Sequence, residues 1–323
     1  MSRAAWAIVV AIATTVLART TIAAVGPSCP VLAQALQRAT PRTPWGDPDL
    51  QGVWSAIESI AVPLDRPAEL GTRNQLTEEE FRARLMRFVE SASPGNIEAT
   101  NFGVEPDVST TTSRQASLVV DPPNGRRPPR TPAAEARQPP RSSFSPGPFA
   151  SVADLGTFDR CIAFGTVPAA MPFNGVEIVQ APGHVAIRAE VIHDARLIPL
   201  DGRRHVSAAI ASYAGDSRGR WEGRTLVVET TNLNGGTNLT GNGGDRPTSQ
   251  IKIIERYALT DRDVLWYEAT IDDPGTWTRP WTIAFPRKRD ATHRLHEYAC
   301  HEGNYSVANM LRTSRAAETG ASK

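Results

Sequence analysis

Two short runs in this chain set an imidazole beside a carboxylate: His193-Asp194-Ala195-Arg196 and Tyr298-Ala299-Cys300-His301-Glu302. Imidazole exchanges a proton near neutral pH, and a neighbouring carboxylate orients it, so such pairs are the elements of general acid–base chemistry. His193, Tyr298 and His301 are the candidate proton-handling groups, with Asp194 and Glu302 orienting them. Arg196 and Arg220 are candidates for holding an anionic group, and Trp221, Glu222, Trp266 and Glu268 for contacting the rest of a small, partly apolar molecule. Without any cofactor, that set suits a lyase, isomerase or hydratase step. A non-catalytic periplasmic carrier or envelope interaction protein using the same cavity is the alternative, and a salt-bridge network closing the ends of a fold is the plain structural one.

A third reading starts from Gly215-Asp216-Ser217-Arg218-Gly219, which matches the G-x-S-x-G pattern of a hydrolase nucleophile. That motif works only between a strand and a helix, and here a strand is expected to follow, so Asp216 and Ser217 read more simply as turn residues capping backbone amides. All six histidines lie between positions 184 and 301, none in H-E-x-x-H spacing and with no paired C-x-x-C, so no metal site is assigned. The glycine-rich loop from Asn234 to Gly244 precedes a strand and not a helix, which removes the dipole a phosphate cradle uses; it is read as a mobile lid.

These residues must be positioned by strands. From about Cys161 the chain alternates short β-branched and aromatic runs with Gly, Asp, Asn and Pro turns. The pattern predicts strands at 176–181, 184–192, 196–200, 224–232, 250–259, 264–272, 281–285 and 293–300. Hairpin-scale connections without intervening helices make an antiparallel meander, and closure into a lipocalin-like β-barrel is the simplest way to avoid exposed edges. In Val264 to Asp272 the alternation separates Leu265, Tyr267, Ala269 and Ile271 from Trp266, Glu268 and Thr270; the polar face reads either as a wet exterior or as a polar lumen. Trp221-Glu222-Gly223 marks the turn into the most regular strand.

The chain divides into residues 1–24 as a secretory signal, 25–93 as an N-terminal arm, 94–150 as a Pro/Arg-rich linker, 151–312 as the β domain and 313–323 as a disordered tail. The signal has Arg3, an apolar run from Ala4 to Ala18 too short to span a bilayer, and small residues for cleavage near Ala24. The mature chain is therefore expected to be secreted or periplasmic, without a membrane span. Within the arm, Trp45 and Trp54 are expected to plug onto the main domain. Thr77 and Glu80 form a capping box for a helix over 77–90 that shows Phe81, Leu85, Phe88 and Val89 on one face. Nine prolines and five arginines between Asp121 and Pro148 predict extended, solvated chain. Earlier in the linker, just before Asp121, Ala116 to Val120 reads as a short strand.

Losing Arg3 and Arg19 with the signal takes the formal charge from +1 to −1, so no global field favours nucleic acid or an anionic membrane. Of the three cysteines, Cys161 and Cys300 adjoin expected strands while Cys29 does not, and the expected bridge is Cys161–Cys300.

Four segments resemble a group of exported bacterial proteins found in acidobacteria and proteobacteria: Pro41 to Trp54, Leu118 to Pro122, Gly215 to Asn232, and Trp277 to Tyr305 with its Tyr-Ala-Cys-His-Glu-Gly-Asn-Tyr run. The resemblance implies export and assigns no activity or catalytic residue. Arg224 departs from it, standing where the group commonly carries an acidic residue. The likeness of the Trp-Glu-Gly turn to lipocalin barrels is one of fold only.

Overall fold

The computed structural model describes residues 41–56, 59, 61–91, 113–137, 147–163, 165, 175–236, 239 and 245–320. The expected signal segment, Cys29 and most of the glycine-rich loop lie outside these. The architecture is mainly β: a ten-stranded, wholly antiparallel sheet that curls into a nearly closed barrel. Its strands are β1 (Gly52–Ser55), β2 (Val119–Asp121), β3 (Val176–Ala181), β4 (His184–Ala189) and β5 (Ala195–Pro199). The remainder are β6 (Asp216–Glu222), β7 (Thr225–Thr231), β8 (Lys252–Asp261), β9 (Val264–Asp272) and β10 (Trp281–Arg289). The spatial order is β5-β4-β3-β1-β10-β9-β8-β7-β6, with β2 beside β10 off this path. Among the described residues three α-helices accompany it: α1 (Glu78–Ser91), α2 (Pro132–Ala136) and α3 (Ser306–Glu318). Among the described residues no helix is long and apolar enough to cross a membrane.

The two-residue period places alternate side chains inward. Register carries Leu226, Tyr257, Tyr267 and Phe285 in one row across β7 to β10, all essentially inaccessible to solvent. The next row runs Gly219, Val228, Glu255, Ala269, Ile283. Trp54, Ile178, Ile187 and Ile198 join the same cluster from the other strands, so the lumen is filled by side chains. Of the alternatives left by the alternation, the apolar face of β9 is the inner one. Trp266 and Glu268 lie on the opposite face, which is itself covered there: Glu268 is fully buried and sits 3.5 Å from buried Arg256.

Inside this apolar filling lies a charged network, Arg196 with Glu255 and, beside them over the Tyr267 and Phe285 rings, the fully buried Arg287. Arg196 on β5 donates to both carboxylate oxygens of Glu255 at 2.5 and 3.0 Å, and the hydroxyls of Tyr257 and Tyr267 donate to Glu255 Oε1 at 2.7 and 3.0 Å. Burial alone would raise the Glu255 pKa, but the Arg196 charge and these hydrogen bonds outweigh it and hold the carboxyl below its usual range. The edges β5 and β6 meet at Gly219, where an added Cβ would stand 2.5 Å from Leu200 Cδ2 and 2.8 Å from Ile198 Cγ2. A glycine is needed there because β5 packs its side chains directly onto the strand.

Several expectations change here. Asp216 to Glu222 form a strand and not a turn: Ser217, Gly219 and Trp221 alternate with Arg218, Arg220 and Glu222, a period masked by glycine and charge. The tight turn comes later, at Gly223 with φ 64°. Residues 293–300 are irregular, because side-chain bonds and the disulfide bend them off the sheet. The 3-10 turn Val191–His193 ends the strand expected over 184–192.

The arm supplies β1 itself, between β3 and β10. Trp54 is buried and donates to Leu50 O at 2.9 Å, but Trp45 is 38% exposed. Helix α1 starts at the expected capping box, with Thr77 N 2.8 Å from Glu80 Oε2 and Glu80 N 3.3 Å from Thr77 Oγ1. Val89 is exposed, and it is buried Arg84 that reaches across, to Gln115 O at 2.6 Å and to Ser113 O. The linker arginines are not simply solvated. Arg127 lies 2.8 Å from Asp65 and 3.3 Å from Asp245, and Arg130 lies 3.1 Å from Asp245. Residues 313–318, expected in the tail, continue α3, where Ser314 Oγ accepts from Phe149 N at 2.8 Å.

Candidate functional site

At one end of the barrel, the chain leaves β4 through Glu190 and turns sharply at Ile192 and His193, both left-handed at φ 66° and 55°. For a β-branched residue such a conformation costs on the order of 1–2 kcal/mol, so the surrounding contacts must hold it. The turn aims His193 at residues 296–298. Its Nε2 lies 2.7 Å from Tyr298 N and 3.1 Å from His296 O. A neutral ring accepting the Tyr298 N–H carries its own proton on Nδ1; a ring donating to His296 O carries it on Nε2. Protonation state therefore decides which backbone group His193 grips.

The segment after β10 is tied down at both ends. Asp290 Oδ1 accepts from Thr292 N, Thr292 Oγ1 and His293 N at 3.0, 2.8 and 2.9 Å, and the His293 bond is the first reason its carboxyl titrates below the usual range. This cap turns His293 back toward Glu190, whose Oε1 is 2.8 Å from His293 Nε2. His296 stands edge-on to His293, ring centroids 5.8 Å apart. At the far end the Cys161–Cys300 disulfide pins the segment, and Asn304 Nδ2 donates to Asp159 O at 3.0 Å and to Cys161 Sγ at 3.3 Å.

Between these fastenings lies a groove of about 400 Å³. One wall is Phe158 and Asp159; the other is Glu297, Tyr298 and Cys300, with Asn304 at its end. Tyr298 links groove and imidazole cluster, its side chain lining one and its backbone bonded to the other. Burial raises the Tyr298 pKa, so its phenol keeps its proton at neutral pH and can donate it to a ligand. Asp194, beside His193, is likewise raised by burial, opposed by the charge of Arg196.

Of the residues singled out from sequence, His193, Asp194 and Tyr298 are thus gathered at this rim, and Cys161–Cys300 forms its brace. His301 and Glu302 sit exposed on the turn beyond Cys300. Arg196 points into the barrel and is committed to Glu255, while Arg220 pairs with Glu222 at 2.5 Å on the outer surface, so neither supplies an anion clamp here. Half-buried Trp221 packs against the barrel core, and Trp266 and Glu268 lie on the outer face of β9. Ser217 is buried in mid-strand with its Oγ 2.8 Å from Thr230 Oγ1, and β6 leads into β7 and not a helix. The context of a nucleophile elbow is missing.

Glu190, His293, His296 and Asp159 were missed. A strand over 293–300 would have put His293 and His296 on different faces, whereas Asp290-Ala-Thr-His293 is an Asp-initiated turn whose signal was present in the sequence. Among the described residues no group of three or more His, Cys, Asp or Glu is arranged to hold a metal.

The fold and site together define an antiparallel barrel with a filled lumen and a disulfide-braced groove at its rim. No family model matches this chain, and neither does any curated protein or solved structure.

Proposed function

We propose that this is an exported binding barrel whose small-molecule ligand sits in the rim groove and not in the lumen. The observation that carries the reading is the pairing of a filled interior with an open groove. Trp54, Tyr257, Tyr267, Phe285 and Arg287 occupy the inside at full burial, whereas the groove beside Tyr298 has the size of a small-ligand site. The disulfide supports an oxidising compartment, in keeping with the expected signal segment and with the exported group the sequence resembles. A fragment screen on oxidised protein followed by backbone amide shifts tests it. Responses should concentrate at Ala299, Tyr298 and Asn304; binding that leaves these amides still while shifting lumen residues such as Ala269 would overturn it.

A second reading, proton-transfer catalysis without a cofactor, is favoured by the His293–Glu190 contact. A carboxylate fixes the imidazole as a carboxylate orients the histidine of many acid–base sites, and Tyr298, held on the same segment, keeps a phenolic proton. Here His293 and Glu190 take the roles first sought in His301 and Glu302. His293→Ala should leave ligand affinity within about threefold and remove turnover of any substrate found; turnover that survives it ends this reading.

A further inference from the structure

Resting on the rim-groove reading, we infer that the ligand is a small organic cation, an amine or guanidine carried on an apolar body. Each wall carries an aromatic residue next to an acidic one in sequence, Phe158-Asp159 and Glu297-Tyr298; Asp159 is buried, with Oδ2 accepting from Gly156 N at 3.2 Å, and Glu297 is the exposed carboxylate. None of the side chains lining the groove is basic. The Cys161–Cys300 bond joins the segments that form the two walls and so fixes their separation. Aromatic faces attract cations through their quadrupole and accept apolar bodies, and the carboxylates add a field of the same preference. An anionic ligand would meet two carboxylates and no side-chain cation in the lining, since Arg196 and Arg220 are engaged elsewhere. The volume admits a molecule of roughly phenethylamine size with its hydration partly stripped.

The probes are phenethylamine, 2-phenylethanol and 3-phenylpropionate, three molecules of similar shape and different charge, titrated into the oxidised full chain at low salt with amide shifts as readout. Phenethylamine should bind at least about tenfold more tightly than the alcohol, and the carboxylate most weakly. Glu297 is exposed, and Glu297→Gln should weaken the amine about three- to tenfold while leaving the alcohol unchanged. If the alcohol or the carboxylate binds the groove as well as the amine, the charge assignment is wrong and the rim site stands. If none of the three moves the groove amides, both fall.

Discussion

Replacing Glu255 should be among the most damaging single changes in this protein, for reasons that can be counted. Glu255 is fully buried and Arg196 is 8% exposed, so Glu255→Ala leaves a guanidinium in an apolar barrel without its counter-charge. Breaking a buried pair from one side costs about 3–5 kcal/mol, and the Tyr257 and Tyr267 hydroxyls lose their acceptor at about 1 kcal/mol each. These costs overlap, and about 4–6 kcal/mol is expected, comparable with the whole stability of many domains. Glu255→Gln keeps an acceptor and should lose about half as much. Replacing these four groups and the buried Arg287 beside them with apolar ones of similar size, Arg196→Met and Arg287→Met with Glu255→Leu, Tyr257→Phe and Tyr267→Phe, should return stability to within about 2 kcal/mol of the parent. Urea unfolding followed by tryptophan fluorescence gives these values directly. Because the folded carboxyl titrates below its unfolded value, its contribution is complete above the ordinary glutamate range and disappears as pH falls through the folded pKa. The acid limb of the parent's stability curve should therefore be steeper than that of Glu255→Gln. A cost below about 1 kcal/mol for Glu255→Ala, or an all-apolar variant as unstable as the single one, would refute the claim that these are buried charges held in balance by one another.

Three further outcomes are expected. Asp194→Asn should stabilise the protein on the order of 1 kcal/mol at pH 7: a carboxyl raised by burial contributes stability below its unfolded pKa that is lost as pH rises, so the gain should vanish near pH 3 in a melting-temperature series. Gly219→Val should cost about 1–3 kcal/mol in chemical denaturation, because its side chain meets Leu200 and Ile198 at the β5–β6 seam; wild-type stability would mean the seam is loose. Opening Cys161–Cys300, a bridge spanning 139 residues, should cost about 5 kcal/mol in the chain-entropy model, and amide exchange should accelerate first in 290–304.

Much of the barrel was legible because its strands are amphipathic at period two. Val264 to Asp272 and Val176 to Ala181 were read with their bounds, since each pairs on both sides and needs an apolar inner row. What escaped was set by groups far apart in sequence. Strand β6 has arginines and glycines where a strand is expected to show branched residues, and its place depends on Val227 and Val228 of its neighbour. The opposite error, a strand over 293–300, came from local alternation that Asp290, His193 and the disulfide override. Arg196 looked like a ligand clamp because its partner, Glu255, lies across the barrel and cannot be inferred from spacing. At the rim, His193 and Tyr298 were found as separate runs; only the left-handed turn at Ile192 brings them together.

Strand β1 has a consequence for assembly. It is the earliest of the described strands, yet it sits between β3 and β10, pairing Trp54 with Arg289 more than two hundred residues later. Everything from β6 to β10 can zip up by neighbouring hairpins, but the cylinder shuts only when the first strand is laid against the last. Until then β3, and the end of β10 at Lys288 and Arg289 that β2 does not reach, present raw hydrogen-bonding edges, so an incompletely assembled chain is a template for joining a neighbour, whatever its hairpins have already achieved.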